Sequence, residues 1–192
     1  MSDADTYDWG GDRGQKWRDN VPQLEAMLAP VDEPLIAALA LPDRPVRMAE
    51  IGCGGGGSSR AVLARATAGS HIEGYDISPA LIALARERAA GSAGLGYTVA
   101  DVQTAAPPSL PYDRLYSRFG VMFFADPARA FANAAGWLAP GGRVAFAVWG
   151  PIEDNPWATI VRDVVASVVE LPRPEPDSPG PFRYAAAAPL CA

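Results

Sequence analysis

The densest chemistry in the sequence lies in one stretch, Ala49-Glu50-Ile51-Gly52-Cys53-Gly54-Gly55-Gly56-Gly57-Ser58-Ser59-Arg60. The apolar run at 46–51 reads as a buried strand. The glycines that follow break it, and Ala61, Val62, Leu63 and Ala64 carry a helical pattern onward. A strand, a glycine turn and a helix bring backbone close to a nucleotide-like ligand. Glycine suits that turn because it tolerates positive φ and has no Cβ to block approach. Gly52, Gly54 and Gly57 fit the spacing G-x-G-x-x-G, so a dinucleotide such as NAD is admissible on spacing alone. Glu50 argues against it. A pyrophosphate sits at a helix N-terminus because that end attracts anions. A carboxylate two residues before the first glycine repels a phosphate and suits a cation.

S-Adenosylmethionine (SAM) is such a cation, with an ammonium, a sulfonium and no phosphate. Here the sequence resembles the class I SAM-dependent methyltransferases, whose first motif is acidic-x-G-x-G-x-G. Glu50, Gly52, Gly54 and Gly56 match it in full, with Cys53 as a small spacer. Leu138-Ala139-Pro140-Gly141-Gly142-Arg143 is similar to the family's Leu-x-Pro-Gly-Gly turn into a fifth strand. Tyr112-Asp113 matches the aromatic-Asp pair that opens its fourth. The resemblance spans about residues 43–150. It is nearest to the ubiquinone and menaquinone biosynthesis methyltransferases and, equally, to tailoring enzymes of natural-product pathways.

Around the glycine motif the pattern predicts five strands, at 46–51, 71–77, 95–102, 112–120 and 144–149. Helices are predicted at 22–28, from Asp32 as N-cap to about 41, and at 58–68. Two more start at the cap pairs Ser78-Pro79 and Asp126-Pro127, the latter running to 138. A last helix, 156–170, carries Ile160, Val161, Val164, Val165 and Val168 on one face.

Asp76 ends the second strand, twenty residues after Gly56. An acidic residue there accepts hydrogen bonds from a ribose diol, and the resemblance implies the same role. It further implies that Ile77 lies against the adenine, that Asp101 and the Val102 backbone meet the adenine edge, and that Ser117, Arg118 and Phe119 line the methyl-transfer site. Ser117-Arg118-Phe119-Gly120 stands where enzymes that methylate nucleic-acid bases and protein amides carry Asn-Pro-Pro-Tyr, which removes that substrate class. Arg118 suits an anionic group or a salt bridge.

No catalytic base is assigned. His71 is the one histidine and opens the second strand, at the edge opposite the ligand. Trp149, Asn155 and Trp157, with Glu153 and Asp154, leave the ligand edge after the fifth strand and are candidates for the acceptor pocket. Capping by Asn155 is the plainer reading of that residue. Trp9 and Trp17, in an aromatic-dotted polar segment with Tyr7, are candidates for a lid or for packing onto the core. Neither Cys53 nor Cys191 has metal-ligand company, and no metal is expected.

The composition of these 192 residues is 49% hydrophobic and 20% charged, as for an ordinary globular chain. Net charge is −6 and no basic cluster is visible, so a nucleic-acid partner is not expected. No apolar run is long enough to span a membrane. The acidic start, Met1-Ser2-Asp3-Ala4-Asp5, lacks the regions of a secretion signal, and a cytoplasmic setting is expected.

Together these readings predict an α/β fold, a doubly wound three-layer sandwich with a mostly parallel five-stranded sheet. Residues 1–42 form a helical cap, 43–170 the SAM-binding domain and 171–192 a proline-rich tail. The expected function is SAM-dependent methyl transfer to a small molecule at an O, N or C atom, with S-adenosylhomocysteine (SAH) as product. The alternatives are a SAM- or SAH-binding module without turnover and an NAD-dependent oxidoreductase. The resemblance implies seven strands, and the pattern supplies five. The fifth is therefore expected to be an open, apolar edge, covered by residues 171–192 or by a second copy of the chain.

Overall fold

A computed structural model describes residues 8–171 and 177–186. Its strands are β1 Arg47–Ile51, β2 His71–Asp76, β3 Leu95–Val99, β4 Tyr112–Arg118 and β5 Leu138–Ala147. All pairings are parallel, in the order β3-β2-β1-β4-β5. The chain leaves β1 toward one side of the sheet and later returns to its other side as β4. That reversal opens a crevice at the C-terminal ends of β1 and β4.

Side chains alternate across β1 because a strand has a period of two. Met48 joins Leu39, Val62, Ile72 and Tyr116 on one face. Ala49 and Ile51 join Leu115, Val121, Ala130 and Trp137 on the other. Both faces are buried, which is why Met48, Ala49 and Ile51 are all apolar although they alternate across the sheet, with Glu50 the one charged residue among the strand's buried positions.

The helices are α1 Asp12–Asp19, α2 Val21–Leu28, α3 Asp32–Leu39, α4 Gly57–Leu63, α5 Pro79–Arg88, α6 Pro127–Ala135 and α7 Pro156–Ala166. α3, α4 and α5 pack on the Met48 face. α6 covers the Ile51 face. Both predicted caps are present: Ser78 Oγ accepts from Leu81 N, and Asp126 Oδ1 accepts from Arg129 N.

Several boundaries differ from the sequence expectation. α1 was not foreseen, since its exposed polar residues leave no apolar stripe. Asp32 lies in the first turn of α3 instead of capping it, because a 3-10 turn, Ala29–Val31, runs straight into the helix. α4 stops at Leu63, and β3 stops at Val99 where the chain turns at Asp101. α6 ends at Ala135 because Tyr112 N donates to Trp137 O at 2.8 Å, so the sheet has already begun. The Pro140-Gly141-Gly142 turn is thus a bulge inside β5. The register jumps there from Tyr112↔Leu138 to Arg114↔Arg143.

Beyond α7 the described residues 177–186 seat on the turn that follows β4. Gly180 N donates to Met122 O, Arg183 donates to Phe124 O, and Tyr184 is buried near Phe131. They do not run along β5. Among the described residues no strand pairs with its outer edge, so cover from this part of the tail is corrected. Residues 172–176 and 187–192, with Cys191, lie outside the described residues, as does Tyr7. α7 has no buried residue, and Ile160, Val161, Val164 and Val168 all face outward. No helix of the described residues is long and apolar enough to cross a membrane.

Candidate functional site

The glycine loop lies in the sheet crevice and is stitched to β2. Gly52 N and Cys53 N donate to Tyr75 O at 2.7 and 3.1 Å. Gly54 N donates to Asp76 Oδ2 at 2.9 Å, and Ser78 N donates to Asp76 Oδ1 at 2.9 Å. Gly52 has φ 68, and a Cβ there would sit 2.9 Å from Gly120 Cα. Only glycine lets the β1 and β4 ends approach so closely. At Gly54 an added Cβ would meet nothing within 4 Å, so this part of the loop faces open space.

Asp76 thus closes the end of β2 with one N–H on each carboxylate oxygen. A carboxylate has about four acceptor positions, and the Ile77 N–H also acts on it, so acceptor capacity is left for a ligand hydroxyl. Burial pushes the Asp76 carboxyl up, and the backbone N–H groups pull it back. Ile77, next along, is 46% exposed, an apolar surface at a strand end. Asp101 accepts from Gln103 N and Nε2, which shapes the turn after β3. Val102 is buried, and its carbonyl accepts from Asn133.

Glu50 is elsewhere. Its side chain is 0% exposed and faces α4, where Ser58 and Ser59 donate to its two oxygens and Tyr116 donates to Oε2 at 3.2 Å. Burial raises its pKa to about 7 against those three hydrogen bonds and the nearby Arg118. Strand alternation points Glu50, expected from the sequence to meet a ligand charge, inward with Met48. Ser117 is also turned to the protein, donating to Ile51 O at 2.7 Å and accepting from Gly120 N. Arg118 pairs with Asp32 at 2.8 Å, largely out of solvent, which is the salt-bridge alternative of its two readings.

Two aromatic groups flank the crevice. Trp9 packs edge-on against Trp17 at 5.4 Å and against Phe123 at 5.0 Å, with the Arg13 guanidinium over its ring. The buried Gly14 of α1 presses on Ser78, where a Cβ would not fit, and holds this segment over the end of β2. On the other side Phe119, in the left-handed region at φ 63, stacks on Trp149 at 4.4 Å. The row continues through Trp157 at 5.0 Å to Phe182 at 5.7 Å. Asn155 donates to Gly150 O and Pro151 O and accepts from Trp157, so it shapes its own turn. His71 sits at the opposite sheet edge, 3.6 Å from Glu73. Cys53 is buried with Ile82, Ala85 and Tyr97, and burial pushes its thiol well up.

Residues 49–146 match the family described as a methyltransferase domain. The chain belongs to that family. Malonyl-[acyl-carrier protein] O-methyltransferase 1 of Ilyobacter polytropus is 31% identical over 138 residues, 72% of this chain and 50% of that protein. Trans-aconitate 2-methyltransferase of Streptomyces avermitilis is 33% identical over 66% of this chain and 47% of its own length. A SAM-dependent methyltransferase structure from Mesorhizobium loti is 31% identical, with TM-score 0.55 over 65% of this chain and 57% of that one. The methyltransferase domain spans about half the length of the curated relatives it matches.

The residues present fit SAM. The loop backbone at Gly54 is open to a ligand, Asp76 keeps acceptor capacity beyond its backbone partners, and Ile77 offers an exposed apolar surface beside them. Sequence reasoning missed Ser58, Ser59 and Tyr116 as partners of Glu50. It also missed Phe123 and Phe182, which lie far in sequence from the tryptophans they touch. Two hydroxyls eight and nine residues after an inward-facing acid are the one signal that could have found the serines.

Proposed function

We propose that this methyltransferase domain binds SAM at the glycine loop and supports methyl transfer to a small molecule. The observation that carries the reading is the Asp76 bridge between Gly54 N and Ser78 N, set beside exposed Ile77 at the mouth of the crevice. Asp76 holds the ribose diol, Ile77 packs on the adenine, and the turn at Asp101 and Val102 meets its edge. When bound, SAM supplies an electrophilic methyl with a good leaving group, so the protein's part is largely positioning. Trp9, Trp17 and Phe123 exclude water on one side of the crevice, and Phe119, Trp149 and Trp157 form an apolar wall on the other. No base is assigned, and one is needed only where the acceptor must lose a proton.

The acceptor we put first is a small carboxylic acid, since one relative is named for trans-aconitate and another for a malonyl group, there on an acyl-carrier protein. Residues 1–42 act as the cap and 43–170 as the catalytic unit. The setting is cytoplasmic, in keeping with a free buried Cys53. A second copy meeting the open edge of β5 is part of the same reading. A SAH-binding module without turnover is the second reading, favoured by a β5 edge and an α7 face that nothing among the described residues covers. Calorimetry with SAM, SAH and NAD tests the site: binding of NAD in place of SAH would sink the reading. Methyl transfer to a panel of acids, amines and phenols separates turnover from binding alone.

A further inference from the structure

The glycine loop is anchored on three sides. Tyr75 O and Asp76 hold it from β2. Arg88 donates to Gly55 O at 3.2 Å and to Glu25 at 2.9 Å, which ties it to α2 and α5. The third anchor lies underneath. Glu50, the last residue but one of β1, receives hydroxyls from Ser58 and Ser59 in the first turn of α4. All three residues are buried, as is Tyr116, which donates to the same carboxylate from β4. Residues 50 and 58 bracket the loop, so these bonds set the distance between the end of the strand and the start of the helix. A buried carboxylate is costly unless its oxygens are well supplied with donors, and here both are.

We propose that Glu50 is a positioning residue: it grips α4 through Ser58 and Ser59, fixes residues 52–57 in the shape that takes the cofactor, and does not touch the cofactor. The inference rests on the reading of the loop as a SAM site. An ionised carboxylate accepts charge-assisted hydrogen bonds from both serines, whereas a protonated one donates to one of them in a weaker, neutral bond. The grip is therefore strongest when Glu50 is charged. The groups facing it are the Tyr116 hydroxyl and the Arg118 guanidinium from β4, the Tyr97 hydroxyl from β3, and the Cys53 thiol of the loop. Of these, Arg118 alone is charged near neutral pH, and it favours ionised Glu50. Cofactor affinity should therefore rise with pH across neutrality.

The test uses the full chain with SAH as the probe and two readouts, calorimetric affinity and amide hydrogen exchange over residues 52–59. The Ser58→Ala/Ser59→Ala variant keeps Glu50 and removes the grip. It should bind SAH at least about tenfold more weakly and exchange the loop amides at least about tenfold faster, with β4 amides unchanged. If the double variant does not fold, each single serine variant is read in the same way. Glu50→Gln keeps an acceptor oxygen; it should hold wild-type affinity within about threefold at pH ~6 and lose the rise toward pH ~8. Tenfold weaker binding by Glu50→Gln at every pH, with the serine variant binding normally, would mean direct contact and overturn the proposal. Unchanged loop exchange in the serine variant would overturn it as well. If wild type fails to bind SAH, the cofactor reading falls, and loop exchange still decides the grip.

Discussion

Gly56 offers a sharp test of how the loop meets β3. It has φ 77, and a Cβ there would lie 2.5 Å from the Tyr97 hydroxyl oxygen and 2.9 Å from Cζ of the ring. Gly56→Ala therefore carries two separate costs. Forcing an L-residue into the left-handed region costs about 1–2 kcal/mol. Overpacking against the buried Tyr97 costs about 1–3 kcal/mol more. The sum, roughly 2–5 kcal/mol, is a large share of a domain's stability. Tyr97→Leu separates the two, because leucine keeps an apolar contact and removes the end of the ring. In that background Gly56→Ala should cost little beyond the backbone part, about 1–2 kcal/mol, the remaining close atom being Ala85 Cβ at 3.3 Å. Urea unfolding of the four proteins, compared at constant m, measures both numbers and their coupling. Equal costs in the two backgrounds would show that the ring does not confine the loop. A single-variant cost under about 0.5 kcal/mol would refute the conformational argument as well.

Asp76→Ala should weaken SAH binding by about 1.5–3 kcal/mol, a charged hydrogen bond's worth; unchanged calorimetric affinity in a folded variant removes Asp76 from the site. Burial raises Glu50 from 4.5 to about 7. The folded state thus holds this proton to higher pH than the unfolded chain. The resulting stability is complete below pH ~4.5 and is lost as pH rises through about 7, by roughly 3 kcal/mol. Glu50→Gln should flatten that part of the urea-derived stability profile, and matching slopes in the two proteins would contradict the burial. Trp9→Phe should abolish most of the tryptophan fluorescence change on adding SAH if Trp9 closes the crevice; a wild-type response would leave packing as its role. Val164→Lys, on the 64% exposed face of α7, should shift stability by less than about 0.5 kcal/mol. A urea midpoint shift equivalent to several times that would mean the face is covered.

The sheet was legible from its punctuation: the glycines after Ile51 end β1, and the Tyr112-Asp113 pair after a proline-rich loop opens β4, whose own residues are mixed in polarity. Asp76 and Gly54 were placed by spacing, since strand length fixes where a β2 terminus meets the loop. Glu50 shows the limit. Its type and position in the motif were visible, yet its direction follows from the alternation Met48, Glu50, and its partners from a helix that folds back onto the strand. α1 was not legible because its hold on the molecule is tertiary, through Gly14 on Ser78. The early start of β5 was hidden by Pro140-Gly141-Gly142, which locally resembles a stop and is accommodated as a bulge.

α7 puts a cooperative transition at the rim of the molecule. An isolated helix of eleven residues is marginal in water, because nucleation is costly and only packing repays it. Among the described residues that repayment comes at one end, where Trp157 meets Trp149 and Phe182. From Ile160 to Ala166 the valines, β-branched and weak helix formers, are held mainly by their own backbone ladder. The helix–coil equilibrium of this segment is therefore decided by whatever lies on Ile160, Val164 and Val168. Any surface that covers them registers as a gain in helix as well as in contact, so circular dichroism would report occupancy of this face without a label.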